Sequence, residues 1–339
     1  ISGNKICAKG LVLGYNNDLS HLPDLDTRWS RMWVSPKYES IMKTLNSISS
    51  CLICGMSRSG TTLLVTMLDS HKEISMGYEM LPAGIDDLGG AASGIELCLE
   101  ELGQHAVAKD VQAWLKKQNM DSVGKFVRQA DRAAVSPKKL PSIIRYVESS
   151  VDITDKLAVR YALSVASVEC KRKEENTSIS GFKLNAPSIA AFDKYGAGEN
   201  RYIFALRDPR DIYASHKANN FDRDIEHVCG AWNQYLQKFQ AFASNHPERT
   251  MLVRYEDVVR RIDEHVLSIG KFLDLEDPSQ MRNFFDSKAS VHQAGHTNSE
   301  SLGQDVFDRS IGRWSVDLNK AEVNKIESLC SPLMRANGY

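Results

Sequence analysis

"GMSRSGTT", residues Gly55 to Thr62, stands between a short apolar run, "SCLIC" (50–54), and a helical pattern, "TTLLVTMLDSH" (61–71). A buried strand, a glycine-bearing turn and a helix start in direct succession leave a chain few options. Such a turn lays backbone N–H groups at the positive end of a helix dipole, where they suit one anion. Gly55 and Gly60 keep the spacing of a nucleotide phosphate loop, G-x-x-x-x-G-K-[ST], but Thr61 stands where that loop has its lysine. The positive side chain nearby is Arg58, inside the loop. The missing lysine is the one that reaches the β- and γ-phosphates of a triphosphate. No convincing strand ends in an aspartate placed to hold magnesium beside the threonine. The loop is therefore expected to hold a 5′-phosphate whose outer group is small and weakly charged.

Four more apolar runs of strand length follow: "EISMG" (73–77), "SISGFKL" (178–184), "RYIFAL" (201–206) and "TMLVRY" (250–255). Several are apolar on both faces, as parallel strands between helices are. Between them lie helical patterns. "DPRDIYASHKANN" has Pro209 in its first turn behind Asp208 as a cap, and "IEHVCGAWNQYLQKFQAFASN" (225–245) is amphipathic with a period near 3.6. Alternation of this kind predicts an α/β fold with a doubly wound parallel sheet flanked by helices. Residues 81–178 differ in being mostly helical, with "GIDDLGGAASG" (84–94) read as a flexible lead-in and "SPKKLPS" (136–142) as a break. An insertion at the carboxyl ends of strands is where α/β enzymes build the wall for a second substrate. The expected organisation is one domain over 1–339, with 1–48 as an N-terminal arm and 81–177 as a helical, acceptor-side insertion.

The chain carries 42 Lys and Arg against 43 Asp and Glu, a formal charge of −1 over 339 residues. It has no global field to draw in nucleic acid or an anionic membrane, so any anion site must be local. No apolar run reaches the roughly 18 residues of a membrane span, and no signal-peptide pattern opens the sequence. A start at Ile1 is expected of a piece of a longer polypeptide, whose address lies elsewhere. The seven cysteines are odd in number and scattered. Cys51 and Cys54 form a C-x-x-C on a strand, where positions three apart face opposite ways, so they read as buried strand residues and no metal is expected.

"SRSGTTLL" resembles the 5′-phosphosulfate loop of the sulfotransferases that use 3′-phosphoadenosine 5′-phosphosulfate (PAPS). A sulfuryl group is the small outer group the loop calls for, with one negative charge against about two on a γ-phosphate. A donor with a 3′-phosphate needs a second anion site. "FALRDPRDIYAS" offers it: Arg207 ends a strand and Ser215 follows eight residues on, two turns into the next helix. Arginine supplies a forked charge and serine a hydroxyl donor. This pair resembles the family's 3′-phosphate site at the same spacing. "LVRYEDVV" (252–259) resembles the family's Y-E-D-type strand end, which in the tyrosine-sulfating branch puts Tyr255 along the nucleotide. "RSIGRW" (309–314) resembles that branch's late segment, in which a basic residue before tryptophan, here Arg313, reaches the donor. "SVHQ" (290–293) resembles a stretch that covers the donor from a serine, here Ser290. The resemblance spans roughly residues 49–80 and 178–339. It implies donor contacts from Arg58, Ser59, Gly60, Thr61, Thr62, Arg207, Ser215, Tyr255, Ser290 and Arg313, with 3′-phosphoadenosine 5′-phosphate (PAP) as product and no metal.

Sulfuryl transfer is an in-line displacement served by positioning and charge stabilisation. The resemblance gives Arg58 the charge developing on the bridging oxygen. It gives Glu79 the role of base, 21 residues after Arg58 as in the tyrosine-sulfating branch, and makes Lys183, one residue off, a second transition-state cation. The cytosolic branch uses a histidine instead, for which His105, His292 and His296 are candidates. Two departures stand out. Met76 and Gly181 occupy the positions of a disulfide in the tyrosine-sulfating branch, and Asn219 replaces a second basic residue four after the helix serine. The first counts against a Golgi tyrosine sulfotransferase. It favours a cytoplasmic address and a small-molecule or carrier-bound hydroxyl acceptor over a protein tyrosine or a sugar. A P-loop kinase and a non-catalytic nucleotide-binding protein are the rival classes.

Overall fold

The computed structural model describes residues 49–80, 82–103, 105–151, 153–171, 177–184, 189, 193, 200–286 and 305–339. All five expected strands form: β1 Ser49–Gly55, β2 Ile74–Gly77, β3 Ile179–Leu184, β4 Arg201–Leu206 and β5 Thr250–Arg254. They make one parallel sheet in the order β2-β3-β1-β4-β5. Cys51 to Gly55 of β1 lie opposite Arg201 to Ala205 of β4, and Tyr202 to Leu206 of β4 opposite Thr250 to Arg254 of β5. Sequence order and spatial order part company at β1 and β4, whose following segments leave in different directions. Ligands of doubly wound sheets bind beyond the carboxyl ends of such a pair. The apolar character of β1 and β4 on both faces follows from helices covering both, and Cys51, Leu52, Ile53 and Cys54 are fully buried. Burial pushes the Cys51 thiol up to about 12 and Cys54 higher still, so both are unreactive as thiolates.

The chain divides into two compact units. One holds Cys51–His71 and Arg201–Tyr339, with β1, β4, β5 and the helices α1 Thr61–Ser70, α7 Pro209–Ala218, α8 Ile225–Asn245, α9 Tyr255–Arg260, α10 Ile262–Phe272, α11 Trp314–Asp317 and α12 Lys320–Ala336. Asp224 caps α8 through the His227 amide at 2.7 Å, and Val228, Trp232, Leu236 and Phe239 then fall on one buried face. That face meets the sheet through rings: Phe239 stacks on Phe204 at 4.6 Å and Phe242 sits edge-on to Tyr202 at 5.2 Å.

The other unit is built on Lys72–Phe182; its described residues include β2, most of β3 and the helices α2 Leu88–Leu102, α3 Ala108–Lys117, α4 Asp121–Arg132, α5 Leu140–Ser150 and α6 Lys156–Glu169. The break at 136–142 is a 3₁₀ turn, Pro137–Lys139, leading into α5. The stretch 84–94, expected to be a flexible lead-in, instead starts a helix at Leu88. Asp87 caps it through the Gly90 amide at 2.8 Å, and a Cβ on Gly94 would lie 2.5 Å from Met120 Cε. Glycine there serves close packing. Met76 and Gly181 lie directly opposite each other on β2 and β3, so the two positions at which the tyrosine-sulfating branch has its disulfide are neighbours in space. Among the described residues no helix is long and apolar enough to cross a membrane.

Candidate functional site

The loop after β1 is shaped by three left-handed or near-left-handed residues: Gly55 (φ 141°), Arg58 (φ 71°) and Gly60 (φ 92°). Arginine in that region costs about 1–2 kcal/mol, a strain that persists only where surrounding contacts over-determine it. Those contacts are present. Arg58 Nε donates to Ser215 Oγ at 2.8 Å, and the Arg58 carbonyl accepts from Arg207 Nη1 at 3.0 Å. The two motifs, 157 residues apart in sequence, thus meet directly. Ser59 turns inward: its N–H and its hydroxyl both donate to the Met56 carbonyl, at 3.2 and 2.6 Å. Its amide therefore closes the loop, where the sequence suggested an amide facing an anion. Leu64 is the first to donate back into the helix, to Gly60 at 3.2 Å, so the amides of Thr61 to Leu63 precede the hydrogen-bond ladder and carry the positive end of its dipole.

Arg207, buried at the end of β4, is the hub of the second motif. It also donates through Nη2 to the Ser310 carbonyl, and its guanidinium lies 4.6 Å above the Tyr255 ring. Its Nε is buried with no hydrogen-bond partner among the described residues. A buried guanidinium N–H left over is costly unless an acceptor meets it, and a phosphate oxygen would do so. Ser215, also buried, sits on α7 as the spacing requires. The Asn219 side chain turns back on the helix end, its Nδ2 donating to the Ser215 carbonyl at 2.7 Å. Tyr255 wedges against the loop: a Cβ on Gly60 would fall 2.5 Å from its Cδ2, and its hydroxyl bonds Ser310 Oγ at 2.7 Å. The helix-start loop and buried Arg207 thus lie side by side, with a glycine where the loop backbone passes close to the Tyr255 ring.

The other expected residues lie as follows. Arg313, the residue before α11, pairs with Asp317 of that helix at 2.5 Å. Lys183 is buried near the end of β3. Glu79 follows β2 in the other unit, again with left-handed backbone (φ 47°), and its carboxylate lies 3.6 Å from Arg132 of α4. His105 is exposed in a turn. Ser290, His292 and His296, and the 1–48 arm, lie outside the described residues.

Four participants were not read from sequence. Asp211, buried in the first turn of α7, accepts the amides of Gly312 at 2.8 Å and Trp314 at 3.0 Å. Ser310 joins Arg207 to Tyr255 as described. Glu256, buried beside Tyr255, accepts the Asp208 amide at 2.9 Å and the Tyr339 hydroxyl at 3.0 Å, and burial raises its carboxyl. His216, the residue after Ser215, bonds Ser57 Oγ through Nε2 at 3.0 Å. Burial first, and then the Arg223 and Arg58 guanidiniums, push its pKa down to about 4, so the imidazole is neutral at working pH.

A family model described as a sulfotransferase domain matches residues 49–338. The chain belongs to the sulfotransferase family. Among solved structures it is similar to the sulfotransferase domain of an olefin synthase from Synechococcus PCC 7002, at 17% identity and TM-score 0.53, over 84% of this chain and 95% of that one. The sulfotransferase domain of the curacin biosynthetic pathway matches at 16% identity and TM-score 0.48, over 84% and 98%. A sulfotransferase from Mycobacterium avium matches at 13% and 0.44, over 89% and 86%. At such identities the first of these speaks for the fold, which is an α/β sulfotransferase fold. None of the curated proteins compared with the chain matches it. As a member of this family the protein is a sulfotransferase enzyme.

Proposed function

We propose that this sulfotransferase moves the sulfuryl group of PAPS to a hydroxyl of a small-molecule or carrier-bound acceptor. The observation that carries the reading is the direct junction of Arg58, Ser215 and Arg207, which ties a 5′-anion loop to a 3′-anion site. A nucleotide with one phosphate has no use for the second site. The partnerless Nε of buried Arg207 supports a ligand there. Met76 and Gly181, opposite each other on β2 and β3, carry no thiols where the tyrosine-sulfating branch has its disulfide, which supports an acceptor other than a secreted protein's tyrosine.

The donor supplies an activated S–O bond and a phosphate leaving group. In the proposed step the acceptor oxygen forms a bond to sulfur as the bridging S–O bond breaks, and the electron pair leaves on the 5′-phosphate oxygen. In this reading Arg58 and the helix-start amides, held in place by the contacts of the loop, stabilise that charge. Glu79 takes the acceptor proton, oriented by Arg132, and Lys183 offers a second positive charge. Arg207, Ser215, Tyr255, Ser290 and Arg313 hold the nucleotide.

The test is thermal stability with PAP, ADP and ATP·Mg²⁺, each at one fixed concentration. A ligand at 100 times its dissociation constant stabilises by about 2.7 kcal/mol, which a melting curve resolves. A shift with PAP and little with ADP is expected. A shift with ATP·Mg²⁺ alone would overturn the reading in favour of a kinase.

A further inference from the structure

Residues 309–314 carry little secondary structure of their own, yet they are held tightly. Arg207 donates to the Ser310 carbonyl, the Tyr255 hydroxyl bonds Ser310 Oγ at 2.7 Å, and Asp211 accepts the Gly312 and Trp314 amides. The Arg210 guanidinium lies 4.1 Å above the Trp314 ring. Three of these partners, Arg207, Arg210 and Asp211, belong to one five-residue stretch, "RDPRD".

Asp211 occupies the third position of α7, where an acidic side chain commonly turns back to the amide of the cap residue. Here that amide, of Asp208, is already taken by Glu256 at 2.9 Å. The Asp211 carboxylate is therefore released to face the 309–314 segment, and each of its oxygens receives a backbone N–H. A buried carboxylate with two amide donors makes charge-assisted bonds, stronger than ordinary ones and directional. Asparagine keeps the shape but replaces one acceptor oxygen with a second donor, which would face a backbone N–H.

We infer that Asp211 is a positioning residue of the donor site: it holds Ser310 against Arg207 and Tyr255, and the preference for a 3′-phosphorylated nucleotide depends on it. The inference rests on the PAPS reading. Without the carboxylate the segment loosens, Arg207 Nη2 loses the Ser310 carbonyl, and the guanidinium swings free of the orientation that turns its Nε and remaining N–H groups to one phosphate. A general loosening of the fold would weaken all nucleotides alike. Loss of Arg207 alignment weakens those with a 3′-phosphate most.

The experiment uses Asp211→Ala and Asp211→Asn beside the unaltered protein. Calorimetric Kd values for PAP and ADP are measured, together with hydrogen exchange of the peptide covering 305–316. Exchange at Gly312 and Trp314 is expected to quicken at least about tenfold, while α8 stays protected. The Kd for PAP is expected to rise at least about tenfold and that for ADP much less, so that the PAP-to-ADP preference narrows. Unchanged exchange in both variants, or equal losses for the two nucleotides, overturns the inference. An unaltered protein that fails to prefer PAP over ADP refutes the PAPS reading itself, and that result is seen before any variant is made. Where Asp211→Ala does not fold, Asp211→Asn carries the comparison.

Discussion

Replacing Gly60 with alanine tests the donor loop through two separable costs. Its φ of 92° and ψ of 6° lie on the left-handed side, where a Cβ costs about 1–2 kcal/mol. The second cost is contact. The new Cβ would sit 2.5 Å from Tyr255 Cδ2 and 3.3 Å from two further ring atoms, against about 3.5–4.0 Å for comfortable carbon contact. The ring must withdraw by roughly 1 Å. It cannot do so freely, because its hydroxyl is bonded to Ser310 and Arg207 lies over its face. Overpacking of this kind costs about 1–3 kcal/mol, so the whole penalty is about 2–5 kcal/mol. For a chain of 339 residues that is a fall in Tm of roughly 3–7 °C. The assay is a double-mutant cycle on Tm, with Gly60→Ala made both in the natural protein and in Tyr255→Ala. In the second background the clash has no partner, and only the dihedral cost of about 1–2 kcal/mol is expected to remain. A penalty of full size in Tyr255→Ala, or none in the natural protein, would refute the wedge between loop and tyrosine.

Arg58→Ala is expected to abolish transfer while PAP still binds, because backbone amides supply most of the cradle; parallel losses in calorimetric Kd and in turnover would sink the assigned role. Glu79→Gln should leave PAP affinity intact and slow turnover at least about a hundredfold, read as kcat with any accepted hydroxyl. Turnover close to normal would move the base to a histidine. His216 predicts a pH effect of definite sign. Its pKa is about 6.5 in the unfolded chain and about 4 when folded, so between those values the unfolded state binds more protons. The stability its neutral form provides is complete above pH 6.5 and is lost as pH falls towards 4, by up to about 3 kcal/mol. In His216→Gln the fall in Tm from pH 7 to 4 should be smaller than in the natural protein, a difference in which the other titrating groups cancel; an identical pH slope would show that this histidine is not held neutral.

How far the sequence carried depends on whether a residue's task is local. The strands were legible because burial on both faces leaves unbroken apolar runs, and Asp208 and Pro209 mark a helix start by chemistry that acts within a few residues. The loop was legible because glycines at φ 141° and 92° cannot be replaced without strain, so their spacing is the geometry. The stretch 84–94 misled because glycine carries two meanings: freedom of the backbone, or room for a neighbour, and Met120 is far away in sequence. Asp211 was hidden for the same reason. Its side chain sits in the first turn of its own helix, and only the Glu256 carboxylate on the Asp208 amide frees it for the 309–314 segment. His216 showed as a helical residue beside Ser215, with nothing to tell that a serine 159 positions earlier would meet it. The proposed donor side thus shows in the sequence through its candidate anion-binding residues but not through the second set that contacts them, since those bonds join parts of the chain with no shared pattern. That division has a consequence for variants. On the proposed reading, changes at Arg58 or Arg207 are expected to act on the nucleotide directly and changes at Asp211, Glu256 or Ser310 by releasing a neighbour, and their effects on binding should be non-additive wherever they share Arg207 as the group released.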